Sequence, residues 1–124
     1  MKFFKFPSIE SFHNKVKAGK KYFSGKQTFN IKPKLHGTNA AIVFSPDEIY
    51  AQSRKRVITV DDDNMGFARF VDTLQFSEGI TADREDTVSV LFGEWAGQGI
   101  QSKDAITKIG RKIFAPFAVI TYAL

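Results

Sequence analysis

A turn-forming tripeptide between two strand-like segments restricts how this chain can fold. Residues 38–44 and 48–53 both have the composition of β-strands, and Ser45-Pro46-Asp47 joins them. Serine, proline and aspartate favour tight turns. Strands connected this closely pair as antiparallel neighbours. We therefore predict a β-hairpin, and with it a largely antiparallel sheet.

Two later segments extend this sheet. Residues 87–95 and 113–124 are rich in β-branched and aromatic residues and are predicted to be strands. Pro116 cannot donate a ladder hydrogen bond, so we expect an edge or a bulge at that position.

Helices are predicted between the strands. Residues 64–76 have apolar side chains at helical spacing, and residues 8–16 resemble a short helix capped by Ser8. Residues 28–34 alternate as an extended segment. The apolar stripe of the longer helix consists of Phe67, Phe70, Val71 and Leu74. Hairpin strands with inserted helices indicate the α+β class.

Composition excludes several kinds of site. The 124 residues are 43% hydrophobic, which suits one globular domain. The absence of cysteine excludes disulfides, thiolate metal sites and a cysteine nucleophile, and two histidines are too few for a multi-histidine metal site. No apolar run approaches the ~18 residues of a membrane span, and no signal peptide is evident. We expect a cytoplasmic protein without membrane association.

Positive charge is concentrated in the first part of the chain. Residues 1–34 contain nine lysines and one acidic residue, whereas the whole chain carries only +5. A basic segment of this kind suits a polyanion such as RNA, although a solvated lysine surface gives the same pattern. The candidate RNA contacts are Lys15, Lys17, Lys20, Lys21, Lys26 and, further along, Arg56.

One lysine lies in a setting suited to covalent catalysis. Lys34 begins the sequence Lys-Leu-His-Gly-Thr-Asn, at the junction of two predicted extended segments. A lysine nucleophile must be deprotonated, so its pKa must fall from about 10.4 toward neutrality. Burial and neighbouring cations lower it, and Lys32, Arg54 and Arg56 are candidate neighbours.

Two further segments carry charge at strand ends. Glu94 lies in Phe-Gly-Glu-Trp-Ala-Gly, and a carboxylate there is costly to bury unless it binds something. Arg54 and two more cations follow the strand over residues 48–53. An acidic run, residues 61–63, is interpreted as a solvated loop, and no metal is assigned to it.

These segments together resemble the ATP-dependent RNA ligases, most closely the phage-type branch that seals nicks. The lysine segment resembles the nucleotidyl-lysine motif, Ser53-Arg54 the next motif, and the segment from Phe92 through Gln101 the third. Residues 114–120 resemble the aromatic strand motif that follows. The resemblance runs from about residue 27 onward and implies a partial nucleotidyltransferase fold. The location would be a host cytoplasm if a phage encodes the chain.

The resemblance implies a role for each matching residue. Lys34 would attack the ATP α-phosphate and hold AMP, with ATP and Mg²⁺ required and RNA as the partner. The nucleotide contacts would be His36, Gly37, Asn39, Arg54, Glu94 and Phe117. Glu94 would bind the ribose hydroxyls and Phe117 would stack on adenine. Two alternatives stay open, Arg56 in place of Arg54 and Phe114 in place of Phe117.

The family's later motifs, a metal-holding acidic strand and a pair of lysines, have no counterpart here. We therefore expect residues 1–124 to be the N-terminal portion of one nucleotidyltransferase domain, inactive alone and prone to self-association through its last strand. The alternatives are a non-catalytic remnant that binds nucleotide or RNA and, less favoured, a DNA ligase or a capping guanylyltransferase. His36 argues against the latter pair, which usually have aspartate there.

Overall fold

The fold is built on a five-stranded antiparallel sheet with the strand order β3-β2-β1-β4-β5. The computed structural model describes residues 1–7, 28, 35–76, 85–100 and 110–124. Within those residues there is one helix, α1. The strands and the helix are β1 (Thr38–Phe44), β2 (Ile49–Ser53), β3 (Val57–Ile58), α1 (Phe67–Thr73), β4 (Thr87–Gly97) and β5 (Lys112–Ala123). A five-stranded antiparallel sheet with a helix is compatible with the predicted α+β class.

The predicted hairpin is confirmed. β1 and β2 pair antiparallel, with Phe44 opposite Ile49 at the turn end. The Ser45 hydroxyl donates to the carbonyl of Glu48 at 2.8 Å and accepts from its N–H at 3.1 Å, which closes the turn. β1 has the predicted bounds, and β2 begins one residue later than predicted.

The helix is shorter than predicted. Met65 and Gly66 have φ of 54° and 78°, so the chain turns left-handed before α1 and the helix cannot begin at residue 64. Leu74 adopts extended geometry and ends it. The predicted apolar stripe is confirmed as packing, because all four of its side chains belong to the apolar cluster between the helix and the sheet.

Each face of the sheet carries its own apolar cluster. On the helix face, α1 packs against buried side chains of β1, β2 and β4, with the Phe67 and Trp95 rings 5.3 Å apart. The opposite face is covered by residues 1–7, whose Phe4 ring lies 4.9 Å from that of Tyr122. Alternate residues of a strand point to opposite faces, which is why one sheet serves both clusters.

Pro116 produces the irregularity that the sequence predicted. Phe92 of β4 pairs with Ala118 of β5, but the next residue, Gly93, pairs with Pro116. Phe117 is therefore the extra residue of a β-bulge. The predicted helix over residues 8–16 lies outside the described residues, and so does the predicted extended segment over residues 28–34 except Thr28.

Among the described residues, no helix is long and apolar enough to cross a membrane.

Candidate functional site

A cavity of about 440 Å³ lies on the face of the sheet that residues 1–7 cover. Ala41 and Phe92 contribute apolar surface from the central strands, and Asn39 adds an amide. Its cationic lining consists of Lys5, Arg54 and Lys55. A pocket that combines apolar side chains with polar and cationic groups suits a small ligand that has a flat apolar part and negative charge.

The turn after β2 is organised by Ser53. Its hydroxyl accepts from the N–H groups of Lys55 and Arg56 at 3.3 and 3.2 Å, and its N–H donates to the Arg56 carbonyl at 2.8 Å. Ser53 is buried, whereas the three cations that follow it are exposed. The serine thus fixes the turn from which Arg54 and Lys55 reach the cavity.

Arg56 points elsewhere. Its guanidinium forms an ion pair with Asp62 at 2.8 Å and donates to the carbonyl oxygens of Asp62 and Asp63 at 3.2 and 3.4 Å. Arg54, in contrast, lines the cavity. Of the two arginines that the sequence left as alternatives, the structure brings only Arg54 to the cavity.

The acidic loop has a structural use. One oxygen of the Asp63 carboxylate accepts from the N–H groups of Asn64 and Ala68, and the other accepts from Arg69. Burial raises the pKa of Asp63, but these backbone donors and the Arg69 charge outweigh it, so the net pKa is lowered. Asp62 is paired with Arg56. In the described part of the chain, no group of three or more His, Asp or Glu side chains could hold a metal ion.

Asn39 and Glu94 are neighbours across two strands. They are direct partners in the β1–β4 register. The pair lies two positions along from Ala41 and Phe92, and therefore on the same face of the sheet. Directly opposed residues of an antiparallel pair project to the same side of the sheet. Two candidate nucleotide contacts, predicted from separate motifs, thus lie side by side on this face of the sheet, and Asn39 lines the cavity.

The two candidate stacking rings lie in different surroundings. Phe114 packs in the helix-face cluster, with its ring 5.0 Å from that of Phe67. Phe117 is 49% exposed, and its ring is T-shaped to that of Phe6, with the centroids 5.2 Å apart. Since Phe6 lines the cavity, Phe117 is the ring that adjoins it. A half-exposed phenylalanine beside a cavity can accept a stacked ligand, whereas a core ring cannot.

Gly37 is constrained by the neighbouring strand. A Cβ at this position would lie 2.2 Å from the Trp95 carbonyl oxygen and 2.8 Å from the Ala96 Cβ. The glycine therefore permits close approach of the chain to β4, and its predicted contact with the nucleotide stays a prediction. His36 beside it is exposed, and neither residue is among those that line the cavity.

Six predicted site residues lie outside the described residues: Lys34, Lys15, Lys17, Lys20, Lys21 and Lys26.

Sequence reasoning missed the contribution of residues 1–7. Phe4, Lys5, Phe6 and Pro7 line the cavity, and Gln52 faces it from β2. The Gln52 side chain holds the backbone of Phe4, a contact between residues 48 positions apart. The only available signal was the cluster of phenylalanines near the N-terminus, which indicates burial but not its location.

Comparison with known proteins identifies the family. Residues 27–122 match the family model described as RNA ligase, which is well over half of the chain. This chain belongs to the RNA ligase family. A search of curated proteins found no significant match.

Proposed function

We propose that this chain forms the adenylation part of an ATP-dependent RNA ligase. The Lys34 amine, after losing its proton, attacks the α-phosphorus of ATP. A nitrogen–phosphorus bond forms, the bond to the bridging oxygen breaks, and pyrophosphate leaves with its electron pair. The AMP held on the lysine is then the activated group used in joining RNA ends.

The observation that carries this proposal is the meeting of separate motifs at one cavity in a chain of the RNA ligase family. Asn39 and Arg54 line the cavity, Glu94 is the strand partner of Asn39, and Phe117 touches the cavity wall. These residues come from four strands or their ends. Covalent transfer requires this kind of fixed arrangement around a bound nucleotide.

The proposal gives each nucleotide contact a role that suits its chemistry. The Phe117 ring stacks on the base, and such stacking contributes roughly 1–3 kcal/mol to binding. Glu94 accepts hydrogen bonds from the ribose hydroxyls, and Asn39 and His36 contact the phosphate side. The Arg54 guanidinium contacts the nucleotide through charge-assisted hydrogen bonds. Nearby cations also favour the uncharged form of a lysine nucleophile.

The resemblance also implies Mg²⁺, which would neutralise charge on the phosphates. Because the described residues contain no cluster able to hold a metal, we assign none of them to it.

Incubation of a full-length protein that contains this chain with ATP labelled in the α-phosphate, in the presence of magnesium, tests the proposal. We expect label on Lys34 and its loss in both Lys34→Ala and Lys34→Arg, because arginine stays protonated. Label that persists in Lys34→Ala would contradict the assignment of the nucleophile. ATP binding without any label would instead support a non-catalytic nucleotide-binding remnant.

A further inference from the structure

Residues Lys2–Pro7, here named the strap, are tied to the sheet by two side chains of β2. The Tyr50 hydroxyl accepts from the Lys2 N–H at 3.0 Å and donates to its carbonyl at 2.7 Å. The Gln52 amide accepts from the Phe4 N–H at 3.1 Å and donates to its carbonyl at 2.6 Å. Each side chain thus satisfies both backbone groups of one strap residue, as a neighbouring strand would.

The hydrogen bonds between Gln52 and Phe4 also satisfy a buried group of the sheet. Gln52 is 2% exposed, and an amide buried without partners would cost stability. No buried side-chain nitrogen or oxygen in the described residues lacks a hydrogen bond, so the strap completes the environment of Gln52. A glutamine on the buried face of a strand is therefore best explained by the segment that it holds.

The strap reaches the cavity through Phe6. The centroid of the Phe6 ring lies 4.9 Å from that of Phe92 on β4 and 5.2 Å from that of Phe117 in the bulge of β5. Phe117 is half exposed, so contact with Phe6 bears directly on the orientation of its ring. Ordering a mobile side chain on binding lowers affinity, and a ring already held in place avoids that loss.

We infer that Tyr50 and Gln52 are positioning residues for the nucleotide site, acting through the strap and Phe6 to hold the Phe117 ring ready for the base. This inference rests on the proposed function. It assigns to two β2 side chains an effect on ATP affinity, although neither is proposed to touch the reacting atoms.

Tyr50→Phe is the most informative variant, because Tyr50 is not among the residues that line the cavity. It removes both bonds to Lys2 and nothing from the cavity wall. In a full-length protein that contains this chain, we expect ATP affinity to fall about three- to tenfold, with the rate of adenylation at saturating ATP nearly unchanged. Thr121→Val is the matched control, since it removes a hydroxyl that bonds only to Ser89 among its described partners, and it should leave ATP affinity unchanged.

A double-mutant cycle tests whether the effect passes through Phe6. Phe6→Ala should weaken ATP binding by itself, and adding Tyr50→Phe should then have little further effect, because the two act on one linkage. Additive losses would contradict the proposed route. If Tyr50→Phe binds ATP as tightly as the parent and only its melting temperature is lower, the bonds to Lys2 are purely structural. That result would overturn the inference.

Docking of the strap has a readout that does not involve nucleotide. The Phe4 N–H donates to Gln52, so its hydrogen exchange should be slow in the parent protein and much faster in Gln52→Met. Fast exchange of the Phe4 amide in the parent would contradict the docking of the strap on the sheet. A parent with a protected Phe4 amide and no affinity for ATP would instead overturn the proposed function, and the positioning role with it.

Discussion

Phe114 and Phe117 are three positions apart on β5, yet they belong to different parts of the molecule. Alternate residues of a strand point to opposite faces, so Phe114 packs toward Phe67 on the helix face and Phe117 lies beside Phe6 on the other. The bulge leaves Phe117 without a pairing partner on β4. The proposal assigns adenine stacking to Phe117 because it combines exposure with contact to the cavity wall.

Substitution of the two rings should have separable effects. Phe117→Ala should weaken ATP binding about tenfold through loss of stacking and should change stability little. Phe114→Ala should cost about 2 kcal/mol or more of stability, because it leaves a gap beside Phe67. Equilibrium ATP titrations and thermal melts of both variants give the comparison. Similar loss of stability with unchanged ATP affinity in both variants would exclude the stacking role of Phe117.

At the scale of elements, α1 depends on an acid that precedes it. Asp63 lies outside the helix, but its carboxylate accepts from the N–H groups of Ala68 and Arg69 in the first turn. These N–H groups have no partner within the helix. The acidic loop thus stabilises the helix start, and it also anchors Arg56 through Asp62.

Asp63→Asn should therefore destabilise the fold by about 1 kcal/mol, in the range of lost helix caps. Because the folded pKa of Asp63 lies below its unfolded value, the ionised carboxylate stabilises the protein above the unfolded pKa. That stability is lost as the pH falls through the folded pKa. Denaturant unfolding at pH 7 and near pH 3 should show a smaller pH dependence in Asp63→Asn than in the parent. An identical pH dependence in the two proteins would contradict the capping role.

Local patterns predicted the elements better than their ends. The hairpin and the apolar stripe of α1 follow from spacing and turn chemistry, and Pro116 indicated the bulge. The start of α1 did not follow, because Met65 takes a left-handed conformation that residues other than glycine seldom adopt. β3 has two residues, which is too short for any periodicity to show.

At the scale of the whole molecule, motifs far apart in sequence meet on one face of one sheet. The sequence motifs predicted Asn39, Arg54, Glu94 and Phe117 as nucleotide contacts. Antiparallel pairing of β1 with β2 and with β4 brings the first three of these residues together. Residues 1–7 could not be placed by such reasoning. Their bonds to Tyr50 and Gln52 join residues 48 positions apart, and no local pattern encodes such a contact.

Charge predicts a separate property of the whole chain. If the lysines of residues 15–26 contact RNA phosphates, RNA binding should weaken steeply with salt, with a log–log slope of roughly −0.9 per neutralised phosphate on a duplex. Replacing Lys15, Lys17 and Lys20 with glutamine should flatten that slope and leave self-adenylation almost unchanged. If RNA binding by the parent protein does not depend on salt, these lysines form a solvated surface and do not contact RNA.

The central claim is that ATP binds on the strap face of the sheet and not on the helix face. Amide chemical-shift mapping during ATP titration measures this directly. The account predicts shifts at Asn39, Arg54 and Phe117, with residues Phe67–Thr73 of α1 unchanged. Shifts confined to α1 and the helix-face cluster, or no shifts at saturating ATP, would contradict it.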